Sequence, residues 1–304
     1  MSWIEKSMMQ VVWSSLEEKG WQVWGEQGEG DSRLDLVCEL PSAGYVVIEC
    51  KAGPALEKFI LGNEILDQLY RYLTAYSLSG IAICVPEQDA GMLSQFKERR
   101  LQTFRSEHSS RNLYVLQRLH VIASHVFPPG IVSITEASIP QTSKLDLALT
   151  HGNEEDLKHR IWKAIVRKEP FVSQMLENLG LHSSVSANPV CEGIIRKSYE
   201  NTKDQIDIAL LIGSKDPYSQ ELKAIVGIEA KNDLSDSSIP FQLDKYLDSE
   251  NLSQLYLAVP ASLARRAKNL IASSKSKHST KIGIVSVRSE CTNQPALDSF
   301  GTQN

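Results

Sequence analysis

The sequence lacks most of the features that assign a protein at sight. Its five cysteines (Cys38, Cys50, Cys84, Cys191, Cys291) are scattered and form no CxxC pair. That argues against a zinc site and a disulfide framework, and fits a reducing cytoplasm. The seven histidines show no metal-ligand spacing. No run is long and apolar enough to cross a bilayer. The opening MSWIEKSMMQ carries an acid and no apolar core, unlike a secretory leader. There is no GxxxxGK(S/T) phosphate loop, so ATP-driven translocation is not expected, and no zinc-finger or RNP signature. The net charge of −5 gives no global sign of nucleic-acid binding, which local charge must decide.

What the chain does have is a repeat. Residues 68–73 read QLYRYL and residues 242–247 read QLDKYL. Extended forward, QLYRYLTAYSLSGIAICVP and QLDKYLDSENLSQLYLAVP align without a gap, with eight of nineteen positions identical. At 304 residues the chain is long enough for two domains, and 42 % hydrophobic content is that of a globular protein. Segments 2–19 and 154–168 both have helical periodicity and share Glu-x7-Trp: Glu5 with Trp13, Glu154 with Trp162. Each is followed by a strand-like stretch, then RLDLVCEL or QIDIALLI, then GYVVIECK or IVGIEAK. The Gln-Leu-x-x-Tyr-Leu helix comes next, then a short strand ending in Val-Pro. Closing strands are expected at GIVSI (130–134) and GIVSV (283–287). Both halves thus read α-β-β-β-α-β. The expected division is a first domain over 1–138, a linker over 139–152, a second domain over 153–290 and a disordered tail over 291–304.

The chemistry lies in the two hairpins. Residues i and i+2 of a strand face the same side, so Glu49 projects with Lys51 and Glu229 with Lys231. The preceding strands carry Asp35 and Asp207. The midpoint of each Asp–Glu pair falls in its turn, which brings each aspartate beside its glutamate at the open end. Adjacent carboxylates repel unless a cation lies between them. Hard oxygen donors suit Mg²⁺ or Mn²⁺, with the carbonyl of Cys50 or Ala230 as a further ligand. A lysine two residues on can hold the attacking water or offset phosphate charge. The cation would activate that water and stabilise the developing charge, which makes a phosphodiester-hydrolysis site. Cys50 itself points to the opposite face and reads as core.

The order Asp, Glu-x-Lys, then Gln-x-x-x-Tyr resembles the PD-(D/E)XK nuclease superfamily in its RecB-type branch. The first half also resembles NucS-type mismatch-endonuclease catalytic domains. The resemblance implies two restriction-endonuclease-like α/β domains, each a mixed β-sheet flanked by helices. It implies metal sites at Asp35, Glu49 and Lys51, and at Asp207, Glu229 and Lys231. Gln68 and Gln242 would orient the lysine or bind substrate, and Tyr72 and Tyr246 would reach a phosphate or fix the glutamine, with the first-helix acids Glu5 and Glu154 as weaker members. Arg33 stands before the first Asp motif as a phosphate contact, and Gln205 lacks that charge. The implied activity is DNA cleavage by two pseudo-symmetric sites in one chain, whose domains pack together; a homodimer or a larger nuclease complex stays open.

Basic helices follow each Val-Pro. The first includes Lys97, Arg99, Arg100 and Arg105; the second includes Arg265, Arg266 and Lys268. A single-sign run in an acidic chain is a phosphate track or a solvated face. Two rival readings stand beside the DNA nuclease: an RNA nuclease, and a non-catalytic or single-site nucleic-acid-binding or assembly protein that keeps the fold, with the second domain a degenerate copy kept for binding.

Overall fold

The computed structural model describes residues 3–40, 44–53, 56–62, 64–76, 78, 81–86, 89–96, 102, 106, 121–127, 131–133, 145–181, 185–197, 203–214, 222–248, 252–273, 282–287 and 297–298. The chain divides into two compact units, Met1–His151 and Gly152–Asn304. Each is a mixed six-stranded sheet flanked by helices. Among the described residues no helix is long and apolar enough to cross a membrane.

The first unit runs α1 (Trp3–Glu18), β1 (Gln22–Gln27), β2 (Leu34–Glu39), β3 (Tyr45–Cys50), α2 (Leu56–Leu61), α3 (Glu64–Tyr76), β4 (Ile81–Pro86), α4 (Ala90–Gln95), β5 (Val121–Phe127) and β6 (Ile131–Ser133). Strands β1, β2 and β3 form an antiparallel meander; β4 and β5 continue in parallel, and β6 is antiparallel at the edge. The central strands are apolar on both sides because helices cover both faces of the sheet. On one face Met9, Val12, Trp13 and Leu16 of α1 share a core with Leu36, Ile48 and Cys50. On the other, Leu69, Tyr72 and Leu73 of α3 share a core with Val37, Val47 and Ile83. The i, i+3, i+4 spacing of those α3 residues is why QLYRYL forms a helix that lies on the sheet. Gly25 of β1 is required by this packing, since a Cβ there would overlap the Trp13 ring.

The second unit follows the same path: α5 (Glu154–Val166), α6 (Pro170–Asn178), β7 (Val185–Lys197), β8 (Lys203–Ser214), β9 (Leu222–Ala230), α7 (Ile239–Leu247), β10 (Gln254–Pro260), α8 (Ala264–Ser273), β11 (Ile282–Val287) and β12 (Leu297–Asp298). Its sheet order is β7-β8-β9-β10-β11-β12, again a meander followed by parallel strands and an antiparallel edge. Asn153 caps α5 by accepting from the Asp156 amide at 2.9 Å.

Three expectations need correction. GIVSI is not the counterpart of GIVSV. The strand that runs parallel beside β4 is Val121–Phe127, whereas Ile131–Ser133 is the antiparallel edge strand after it. The expected linker is partly built into the first unit: Leu145, Leu147 and Leu149 pack on its core, Asp146 donates its amide to Tyr76, and Thr150 to Gln27 at 2.9 Å. Within the tail expected to be disordered, Leu297–Asp298 form β12, which pairs with Ser286 and Val287 of β11; the rest of 291–304 lies outside the described residues.

Candidate active site

The hairpin register determines which groups meet. Leu36 pairs with Ile48 and Ile208 with Ile228. One step further along each ladder sets Asp35 opposite Glu49 and Asp207 opposite Glu229. Opposed residues share a face, and here it is the face covered by α3 or α7. The glutamine helix therefore packs over the side that carries the carboxylates.

In the first unit Gln68 donates its amide to Glu49 Oε1 at 2.8 Å and also to the Tyr72 hydroxyl. Tyr72 donates in turn to the Arg33 carbonyl at 2.8 Å. The second unit repeats the start of this chain: Gln242 donates to Glu229 Oε1 at 2.9 Å and to the Tyr246 hydroxyl at 2.7 Å. The repeated Gln-x-x-x-Tyr is thus a clamp on the glutamate. Tyr72 is fully buried and bonded within the protein, so it positions Gln68 rather than facing solvent. Tyr246 is likewise buried beside Gln242.

Both aspartates are anchored by the residue inside Glu-x-Lys. The Cys50 amide donates to Asp35 Oδ2 and the Ala230 amide to Asp207 Oδ2, each at 2.8 Å. Sequence reasoning gave these two residues a carbonyl role; their N–H groups carry the visible contact. A main-chain donor leaves no mark on residue identity, so no sequence signal could have shown it. The Cys50 side chain lies in the α1-side core, as expected.

Lys51 lies between the carboxylates, bonded to Glu49 and 3.9 Å from Asp35 Oδ2. Lys231 contacts Glu229 at 2.9 Å and Glu154 at 3.5 Å. Burial pushes the Glu49 carboxyl up to about 8, aided by Asp35 and opposed by Lys51. Burial likewise raises Glu229 to about 7, with Asp207 adding to the shift and Lys231 opposing it. Burial alone would depress the Lys51 ammonium, but the Glu49 and Asp35 charges outweigh it and raise its pKa.

These groups open onto a cavity of about 430 Å³ whose walls include Glu5, Arg33, Asp35, Glu49, Lys51 and Arg71. Glu5 on α1 also accepts from the Ala52 amide at 3.2 Å. Arg33 is exposed at the rim and lies 3.2 Å from Glu26. Arg71 was not singled out from the sequence, although the repeat carries a basic residue there in both halves, Arg71 and Lys245. Arg99 and Arg100 lie outside the described residues. On α8, Arg265 and Lys268 are exposed, while Arg266 donates to the Leu234 carbonyl at 3.1 Å.

The donors of the first unit suit a hard cation. Glu49 Oε2 is buried and accepts no hydrogen bond among the described residues, and the Cys50 amide occupies Oδ2 of Asp35. Among the described residues no three or more His, Cys, Asp or Glu side chains come together as a metal cluster. Two carboxylates would therefore be completed by waters, a main-chain carbonyl and phosphate oxygens, a mixture that Mg²⁺ accepts. Comparison with family models, curated proteins and solved structures returns no match for the chain.

Proposed function

We propose that the chain is a Mg²⁺- or Mn²⁺-dependent nuclease of restriction-endonuclease-like fold that hydrolyses phosphodiester bonds in DNA. Its catalytic centre is Asp35, Glu49 and Lys51. The observation that carries this reading is the meeting of these three groups in an open cavity, with an unpartnered buried oxygen on Glu49. A divalent cation bound there supplies positive charge to the phosphate and to the attacking water.

The protein groups have distinct tasks. Asp35, held by the Cys50 amide, and Glu49, held by Gln68, present oxygens in fixed directions. Such preorganisation avoids the cost of reorienting dipoles during reaction. The Lys51 ammonium is kept charged by its neighbours and lies where it can orient water or offset phosphate charge. Arg33 and Arg71 on the cavity wall can take flanking phosphates. The order of motifs supports a nucleic-acid phosphodiester as substrate, and competition between DNA and RNA tests the choice of DNA.

The test uses plasmid, single-stranded and branched DNA with Mg²⁺ or Mn²⁺. Asp35→Asn and Glu49→Gln should lower Mn²⁺ affinity at least about tenfold, because a neutral amide is a poorer ligand for a hard cation. Lys51→Ala should keep metal binding and lower cleavage by roughly 10²–10³, the usual loss on removing one charge-stabilising group. A protein inert on every DNA and RNA substrate with either metal would refute the reading.

A further inference from the structure

The two carboxylate sites are not equivalent, and they differ at the aspartate, where the second unit brings a lysine ammonium within bonding distance. In the second unit Lys158 of α5 places its ammonium 2.9 Å from Asp207 Oδ1 and 2.9 Å from Glu155 Oε1. Glu154 Oε1 lies 3.6 Å away. With the Ala230 amide on Oδ2, both oxygens of Asp207 are occupied by the protein. Among the described residues, Asp35 in the first unit accepts the Cys50 amide on Oδ2 and has the Lys51 ammonium at a distant 3.9 Å. Aligning the helices on Glu-x7-Trp locates the difference: the residue four after Glu5 is Met9, and the residue four after Glu154 is Lys158. Met9 is fully buried in the α1-side core.

Resting on the reading of the Asp–Glu pair as a metal site, we propose that Lys158 takes the cation's place at Asp207. The chain then has one divalent-cation site, at Asp35 and Glu49, rather than two. The Lys158 side chain is only 12 % exposed, and three carboxylates surround it. A divalent ion entering would have to expel a paired ammonium into a partly desolvated position, where an unpaired charge is costly. The second unit keeps Lys231, Gln242 and the clamp on Glu229, whose Oε2 is buried and unpartnered as in Glu49, so the two sites differ at the aspartate and not at the glutamate. The sequence pointed to two pseudo-symmetric active sites; on this proposal only the first is a metal site.

The experiment is a Mn²⁺ titration of the full chain, read by electron paramagnetic resonance. Wild type is compared with Asp35→Asn, Lys158→Met, Lys158→Ala and Lys158→Met/Asp207→Asn, with circular dichroism checking the fold. Wild type should bind one tight ion, lost in Asp35→Asn. Lys158→Met or Lys158→Ala should gain one ion relative to wild type, and the added Asp207→Asn should remove it. Two ions in wild type, or no gain in either folded Lys158 variant, overturns the proposal. A wild type that binds none refutes the metal-dependent reading of the first unit. In that event a gain in Lys158→Met that depends on Asp207 still supports the displacement by Lys158, and its absence overturns it.

Discussion

Glu49 is the most constrained group in the first site. It is 1 % exposed, clamped by Gln68 on one oxygen and unpartnered on the other. Burial first, and then Asp35, raises its pKa from 4.5 to about 8. An acid with a raised folded pKa holds its proton more tightly when folded. Its protonation therefore stabilises the fold at low pH, and that stability is lost as pH rises through this window. In chelator, the first unit of wild type should lose stability between about pH 5 and pH 8. The Glu49→Gln variant, which cannot ionise, should show a flatter profile in denaturant titrations across that range. Equal slopes for the two proteins would remove Glu49 as the source. At this scale much was legible: Asp35, Glu49, Lys51 and Gln68 were found because their order occurs twice. Lys158 was not, because a comparison of copies shows what they share, and position nine of the first copy is methionine.

Elements were legible where local period and long-range packing agree. The helices α1, α3, α5 and α7 fall where their apolar spacing places them, and the hairpin registers follow from the turns. The closing strand failed because likeness of text was taken for likeness of place. GIVSI and GIVSV look alike, yet VIASHVF is the strand beside β4, and nothing local marks which neighbour a strand will choose. The packing of α1 on β1 gives a sharper test of element-scale reasoning. A methyl at Gly25 must displace the Trp13 ring, which is 2 % exposed and wedged in a core. Overpacking of this kind costs typically about 1–3 kcal/mol. Gly25→Ala should lower the unfolding free energy of the first unit by that amount, read as a lower denaturant midpoint, and leave Mn²⁺ affinity at Asp35 and Glu49 unchanged when folded. A midpoint within error of wild type would show that Trp13 has room to move.

For the whole chain, the question is where one folding unit stops. The sequence ended the first domain at 138, read SIPQTSKLDLALTHG as a linker and put the boundary near residue 150, where the two units do divide, at His151 and Gly152. The alternating leucines in KLDLALT were the overlooked signal, since period-two apolar spacing marks a strand-like segment with one face covered. In the structure that face is covered by the first core, and the segment is fastened at both ends by Asp146 to Tyr76 and Thr150 to Gln27. His151 then lies against Trp24, ring centroids 5.0 Å apart. A fully buried leucine is worth about 1.5–3 kcal/mol, so three partly buried ones supply roughly 3 kcal/mol. That is a large share of the margin of a small domain. A fragment of residues 1–151 should therefore unfold cooperatively at clearly higher denaturant than one of residues 1–138. Within the full chain, Leu147→Asn should destabilise the first unit while the second keeps its transition. Equal midpoints for the two fragments would mean that the leucine strap lies on the surface without holding it, and that the earlier boundary is the physical one.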